Sequence, residues 1–425
     1  MSNLLEKASI ITTPTAYSDG VLHSVKPSES PYADFTFTRN NPGTRVNSSG
    51  NIESIAGDLP RIDYLGGSGS WLLEPEATNT ATDSNDFTTG EIFVSSSNPL
   101  LLNSLTLTAN ATTSPEGLTN ASKIQIGTTN SGINRVRYSS VNIVSGNVNV
   151  ISVFAKKGSG VDWFALFADS FDVGTRAWFD LENGVVGTAS SGVLDSKIED
   201  YGNGWYRCSM SFSSVDNVGV VSLVITNADN NAPYSGDLTD HHFIYGLQCE
   251  SHATRQYATS YIPTSGSTVT RGADSAIDAG SSDLISSTEG VLYLEVAALT
   301  SINSFESISL SDGSIQNRIR FQLLNTLNRA AFQVQVGGVS QMFKAIDTTD
   351  ITNFNKIAIK YKQNDFSVWL NGVKIHTDTS GTIPTLSELN FTSGVVSGNF
   401  NGKVKCVAVF EEALTDAELT CLTTI

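Results

Sequence analysis

Basic residues are scarce in this sequence: 25 lysines and arginines stand against 42 aspartates and glutamates, a formal charge of −17. Binding nucleic acid needs clustered cations to neutralise phosphates, so that class of partner is excluded. The negative charge itself reads as a device for solubility. Cysteine is also sparse. Cys208, Cys249, Cys406 and Cys421 are scattered, with no Cys-x-x-Cys pair to seat a zinc knuckle or a redox centre. Disulfides Cys208–Cys249 or Cys406–Cys421 stay open, and buried free thiols are the expected state. No apolar run is long enough to cross a bilayer as a helix, so membrane insertion is not expected. The opening Met1-Ser2-Asn3-Leu4-Leu5-Glu6-Lys7 lacks the basic-then-apolar order of a signal peptide. The expectation is synthesis in a cytoplasm without secretion.

What is present is a folded β protein. A hydrophobic fraction of 40% excludes wholesale disorder, and 425 residues suit two or three domains. Residues 80–254, which with the seam to 271 make the middle domain, alternate apolar and polar positions in about eight segments, among them Val148 to Ala155, Trp163 to Ala168, Trp205 to Phe212 and Val218 to Thr226. Asn183-Gly184 predicts a hairpin turn between Leu181 and Val185. With no helical period between them, these segments predict a jelly-roll sandwich. Residues 272–425 predict a second sandwich. Its clearest piece is Phe366 to Ile375, two alternating strands around Asn371-Gly372, and it closes with Phe400 to Phe410. Thr415-Asp416-Ala417-Glu418 is a capping box for a last short helix, which Leu414, Leu419 and Leu422 would dock. The fold class is therefore all-β, two sandwiches after an extended N-terminal segment. That segment, residues 1–79, has too few large apolar residues for a core of its own. It is expected to pack against neighbouring copies or another protein. Between the sandwiches, Arg255 to Arg271 reads as an extended seam anchored by Tyr257, Tyr261 and Ile262 and stiffened by Pro263.

Several stretches resemble a module of bacteriophage tail-fibre, appendage and adhesin proteins. They are Asp34-Phe35-Thr36-Phe37-Thr38-Arg39, Thr44-Arg45-Val46-Asn47, Leu59-Pro60-Arg61-Ile62-Asp63-Tyr64 and Trp71-Leu72-Leu73-Glu74 through Asn79. Asn85-Asp86-Phe87, Gly202-Asn203-Gly204-Trp205-Tyr206-Arg207 and Thr259-Ser260-Tyr261-Ile262-Pro263-Thr264 continue the set. The middle sandwich resembles, in pattern, the carbohydrate-binding jelly rolls attached to polysaccharide-active enzymes. The last resembles the laminin-G and concanavalin-like lectin superfamily. These resemblances imply a virion protein, a homotrimer joined to other virion proteins through residues 1–79, that displays lectin-like sandwiches to a host glycan or receptor. The alternatives are a purely structural decoration, collar or connector protein and, behind both, a glycan-cleaving appendage.

Catalysis on glycans needs two carboxylates about 5 to 10 Å apart across the scissile bond. No Glu-x-Asp-x-x-Glu run supplies them; Asp162, Asp169, Asp172 and Asp180 are the better candidates for a site, but loops between strands are ordinarily acidic in an acidic protein, so no catalytic residue is assigned. Adjacent strand residues point to opposite faces, which argues against His241 and His242, with His252, as zinc ligands. Calcium is the cofactor that stays open, with Asp229, Asp237 and Asp240 as the oxygen-bearing residues of the stretch after Thr226, though ordinary turn and surface roles account for them better. Sugar recognition uses an aromatic platform with a few orienting polar groups. Trp178, Trp205 and Trp369 sit in predicted strands, and Trp205 and Trp369 read as core. Trp163 near a loop and Tyr234 within one are the candidate platforms. Arg318, Arg320 and Gln322 share one face of a strand and are the candidate polar groove.

Overall fold

A computed structural model describes the chain except for residues 1–3, 5, 28–31, 88–91, 96–104, 130–131, 143, 170–173, 215–217, 303–304 and 395–397. The chain divides into two compact units. One comprises residues 1–45, 55–76 and 272–425, and the other 46–54 and 77–271. Both are β-sandwiches, as the alternation predicts.

In the first unit an eight-stranded antiparallel sheet faces a five-stranded one. The larger runs in the order Val373–Asp378, Phe366–Leu370, Asn355–Lys362, Glu289–Ala298, Gly402–Phe410, Ser70–Leu73 and Ile62–Asp63, with Ala8–Thr12 also paired to Gly402–Phe410. The smaller runs Val339–Asp347, Arg329–Val336, Arg318–Leu323, Ser307–Ser311 and Glu388–Asn390. Leu292, Leu294, Val407 and Val409 from one sheet meet Ile319, Phe321, Phe332 and Val334 from the other in a continuous core. Asn371 and Gly372 both take positive φ, the geometry of a two-residue hairpin turn. The helix Asp416–Thr423 carries the predicted capping box. Leu414, Leu419 and Leu422 pack it onto Val291, Ala358, Trp369 and Ala408 on the outer side of the larger sheet.

The N-terminal residues depart from expectation. Ile10 pairs with Val409 and Trp71 with Val404, so residues 8–12 and 70–73 are strands of the C-terminal sandwich. Ile10, Leu22, Phe35, Phe37, Trp71 and Leu73 lie in its core. The stretch indeed lacks a core of its own, but the partner it needs is the distant end of the same chain. Residues 1–79 thus form no compact unit of their own. The boundaries near residue 79 and at 271/272 fall close to where the chain passes between units.

The second unit stacks two six-stranded antiparallel sheets. One is Ile92–Ser95, Asn134–Asn142, Val218–Thr226, Trp163–Asp169, Thr175–Asp180 and Val185–Ala189. The other is Leu105–Thr113, Thr119–Ile126, His241–His252, Val148–Ser159, Trp205–Ser213 and Val193–Asp200. The turn at Asn183-Gly184 is longer than two residues, because Asp180 pairs directly with Val185. Only Gly184 of that pair has positive φ, and the Asp180 carboxylate accepts from the amides of Glu182 and Asn183.

The motif residues turn out to be fasteners. In the first unit, Asp274 accepts from Arg39 at 3.0 Å and from Arg61 at 2.5 Å, and Arg61 also reaches Glu74 at 2.8 Å. All four side chains are fully or almost fully buried. In the second, Arg207 donates to the Thr259 carbonyl at 2.7 Å, while the Tyr261 hydroxyl meets Ser84 and Asn85. Residues 259–264 therefore belong to this sandwich as an inner strap, with Tyr261 and Ile262 buried as expected. The four cysteines are free, two of them, Cys208 and Cys249, buried.

Candidate functional site

The strand Arg318–Leu323 alternates strictly. Ile319, Phe321 and Leu323 enter the core, so Arg318, Arg320 and Gln322 project from the opposite face of the five-stranded sheet. Cross-strand partners in an antiparallel ladder share a face, and the register therefore builds rows across it. Arg320 lies between Ser309 and Gln333, and Gln333 lies beside Phe343. On the other side Ser309 meets Asn390. Arg318 lies between Ser311 and Gln335, with Glu388 beyond Ser311. Gln322 lies between Ser307 and Ala331.

The hydrogen bonding of these rows is uneven. Arg318 donates to the Ser393 carbonyl at 2.7 Å and to Gln335 Oε1 at 3.1 Å. Gln322 Nε2 donates to the Phe305 carbonyl at 3.1 Å. Arg320 Nε and Gln333 Oε1 are buried without hydrogen-bond partners among the described residues. Neither arginine forms an ion pair with a described carboxylate, whereas Lys362, Lys374 and Lys403 each have one and Lys157 has two. Burial, and secondarily the charge of Arg318, lower the Arg320 pKa to about 10. At the end of the row Phe343 is 54% exposed, an aromatic ring offered to solvent. The face thus combines the open Phe343 ring, unpartnered atoms on the part-buried Arg320 and on Gln333, and two guanidinium groups without a described carboxylate, whereas Arg318 and Gln322 are buried, as are Ser307, Ser309 and Ser311 across from them. Arg318, Arg320 and Gln322 come together as the sequence predicts. Gln333 and Phe343 were missed, although alternation alone would have placed Gln333 outward. Only the strand register puts them beside Arg320.

In the second unit the two aromatic candidates fare differently. Tyr234 is only 9% exposed and packs in the sandwich core, so it is not an open platform. The loop folds inward because Asn134 holds the Tyr234 carbonyl at 3.1 Å and Thr226 Oγ1 reaches the Asn231 carbonyl. The Tyr234 hydroxyl lies 3.3 Å from Asp240, and burial with that carboxylate pushes its pKa well up. Trp163 is half-buried on the outer side of its sheet, against Ala165, Phe167, Trp178, Val224 and Ala232. Gly187 is required beneath it, since a Cβ there would lie 2.4 Å from the indole. Trp205 and Trp369 are buried, as their strands predict, and Trp178 is too.

The acidic and histidine candidates hold structure together. Asp229 accepts from the Thr188 amide and hydroxyl, and Asp240 from the Asp237 amide. Asp162 pairs with Lys157 at 2.6 Å. Asp172 lies outside the described residues, as does the side chain of Asp169. His242 is buried, with Nε2 3.1 Å from the Trp163 carbonyl, and burial lowers its pKa to about 4. Among the described residues no three His, Cys, Asp or Glu side chains gather in a way that would hold a metal ion.

No family model matches the chain, and no curated protein does. Among solved structures, the CBM40 of the Ruminococcus gnavus IT-sialidase bound to α2,3-sialyllactose is 14% identical, with a TM-score of 0.28 over 32% of this chain and 83% of its own. The binding domain of botulinum neurotoxin DC in complex with rat synaptotagmin II is 9% identical, with a TM-score of 0.29 over 35% of this chain and 39% of its own. A mutant of Trypanosoma rangeli sialidase displaying trans-sialidase activity is 9% identical, with a TM-score of 0.28 over 94% of this chain and 80% of its own. Similarities this slight assign neither ligand nor activity.

Proposed function

We infer that this chain is a non-enzymatic glycan-binding protein, a fibre or tail-appendage component of a phage virion that attaches to a host-surface saccharide. One observation carries the binding half of that reading. The outward face of the five-stranded sheet sets the exposed Phe343 ring in one row with Gln333 and Arg320, whose Oε1 and Nε lack partners among the described residues. A ring platform with a few orienting polar groups is the composition that a saccharide site requires. The polar residues named in these rows are amides, hydroxyls and guanidinium groups with Glu388 as their carboxylate, which favours binding over hydrolysis. The virion role rests on the motif resemblance. With residues 8–12 and 70–73 built into a sandwich, the surface that meets other virion proteins is left unassigned, and homotrimerisation is a matter for light scattering.

A structural reading, as a decoration, collar or connector protein, is favoured for the second unit by the burial of Trp178, Trp205 and Tyr234. The two readings separate in one experiment. The purified chain is titrated against a panel of bacterial surface polysaccharides, with Phe343→Ala and Trp163→Ala beside it. Saturable binding weakened by Phe343→Ala supports the glycan reading and places the site. A folded chain that binds no member of the panel leaves the structural one.

A further inference from the structure

Arg318 and Arg320 are two residues apart on one face of one strand, so their Cα atoms lie about 7 Å from each other. Both guanidinium groups keep their charge, and no described carboxylate pairs with either. The Nη atoms of Arg318 meet only neutral acceptors, a carbonyl and an amide oxygen, and its buried Nε has no partner among the described residues. Glu388, the carboxylate of the same row, stands two strands from Arg318 and is engaged by Asn390 Nδ2 at 3.2 Å. In a chain of net charge −17, where acid is plentiful, this face keeps two positive charges uncancelled. A neutral sugar hydroxyl would accept a hydrogen bond here but leave the mutual repulsion in place. A carboxylate would do both jobs, because its two oxygens match the guanidinium fork.

We propose that the outward face of the five-stranded sheet takes a carboxylate-bearing saccharide, with the carboxylate against Arg320 and Arg318 and a neighbouring ring against Phe343. The proposal rests on the glycan-binding reading above and names its ligand class. Phe343 lies two strands from Arg320, about 10 Å at the usual strand spacing, a separation that suits adjoining sugar units. Between the two anchors Gln333 supplies an unpartnered amide oxygen for a sugar hydroxyl. A row of flat polar contacts beside an aromatic ring suits a polyhydroxylated ring better than an acidic peptide, whose backbone would seek a sheet edge.

The test is calorimetric titration of the full chain with oligogalacturonate and oligosialate, each beside its carboxyl-reduced form, and with dextran oligomers and hexaglutamate. At least one acidic oligosaccharide is expected to bind tenfold or more tighter than its reduced form. Arg320→Gln should erase that preference, Arg320→Lys should keep part of it, and Phe343→Ala should weaken acidic and reduced forms alike. Comparing acidic with reduced ligand on the unaltered chain needs no variant to fold. Equal affinity for the two forms, an Arg320→Gln protein that is folded and keeps the preference, or hexaglutamate binding as tightly as the acidic sugar would each overturn the proposal. Binding of neutral sugars without acid preference would overturn it while leaving the glycan reading standing. No binding of any saccharide would take down both.

Discussion

Glu306 makes the stability of its unit depend on pH in a direction opposite to that of most carboxylates. Its side chain is buried; among the described residues Oε2 has no hydrogen-bond partner and Oε1 receives the Asn401 amide at 2.9 Å. Burial raises its pKa from 4.5 to about 7, with the Asn401 hydrogen bond opposing the rise. The folded state thus holds its proton to higher pH than the unfolded chain does. Between roughly pH 4.5 and 7 folding takes up a proton, so stability falls as pH rises through that window, and the penalty is complete above it. A shift of this size corresponds to about 3 kcal/mol. Glu306→Gln keeps an oxygen for Asn401 and removes the ionisation. It is expected to match the unaltered protein at pH 5 and to exceed it by about 2–3 kcal/mol at pH 8. Amide exchange in Ser307–Ser311 and Arg318–Leu323 under graded urea reads this unit alone. Equal pH slopes for the two proteins would refute the reasoning.

Two further outcomes follow from buried polar groups. Asp274→Ala removes the buried carboxylate that Arg39 and Arg61 share, while Arg61 keeps Glu74. It should cost the first unit about 3–5 kcal/mol in urea unfolding, the scale for breaking a buried charge network. A loss under 1 kcal/mol would show that water reaches those groups. Tyr234→Phe removes a single 3.3 Å contact to Asp240 and should cost only about 1 kcal/mol by thermal melting, leaving saccharide binding unchanged. Altered binding would return Tyr234 to the site.

Local rules determined a good deal of this protein from its sequence. Period-two alternation specified which side chains of Arg318–Leu323 leave the core, because successive strand residues must point to opposite faces. Asn371-Gly372 specified a turn because both positions accept positive φ, and Thr415 with Glu418 specified a helix start because their side chains satisfy its first amides. The burial of Tyr261, Trp205 and Trp369 was legible in the same way. Tyr234 was misread because a loop composition does not reveal that Asn134, 100 residues earlier, draws the loop inward. The N-terminal segment was misread for the same cause. Its poverty in apolar residues was plain, but Ile10 finds its partner at Val409. Arg39 and Arg61 appeared in the sequence only as motif letters, and Asp274, 213 residues beyond Arg61, gives them their purpose. Phe343 likewise joins Arg320 only through Gln333. Alternation says which face a residue occupies, a property of its own strand. Register says what lies next to it, and that is settled by packing the whole sandwich at once.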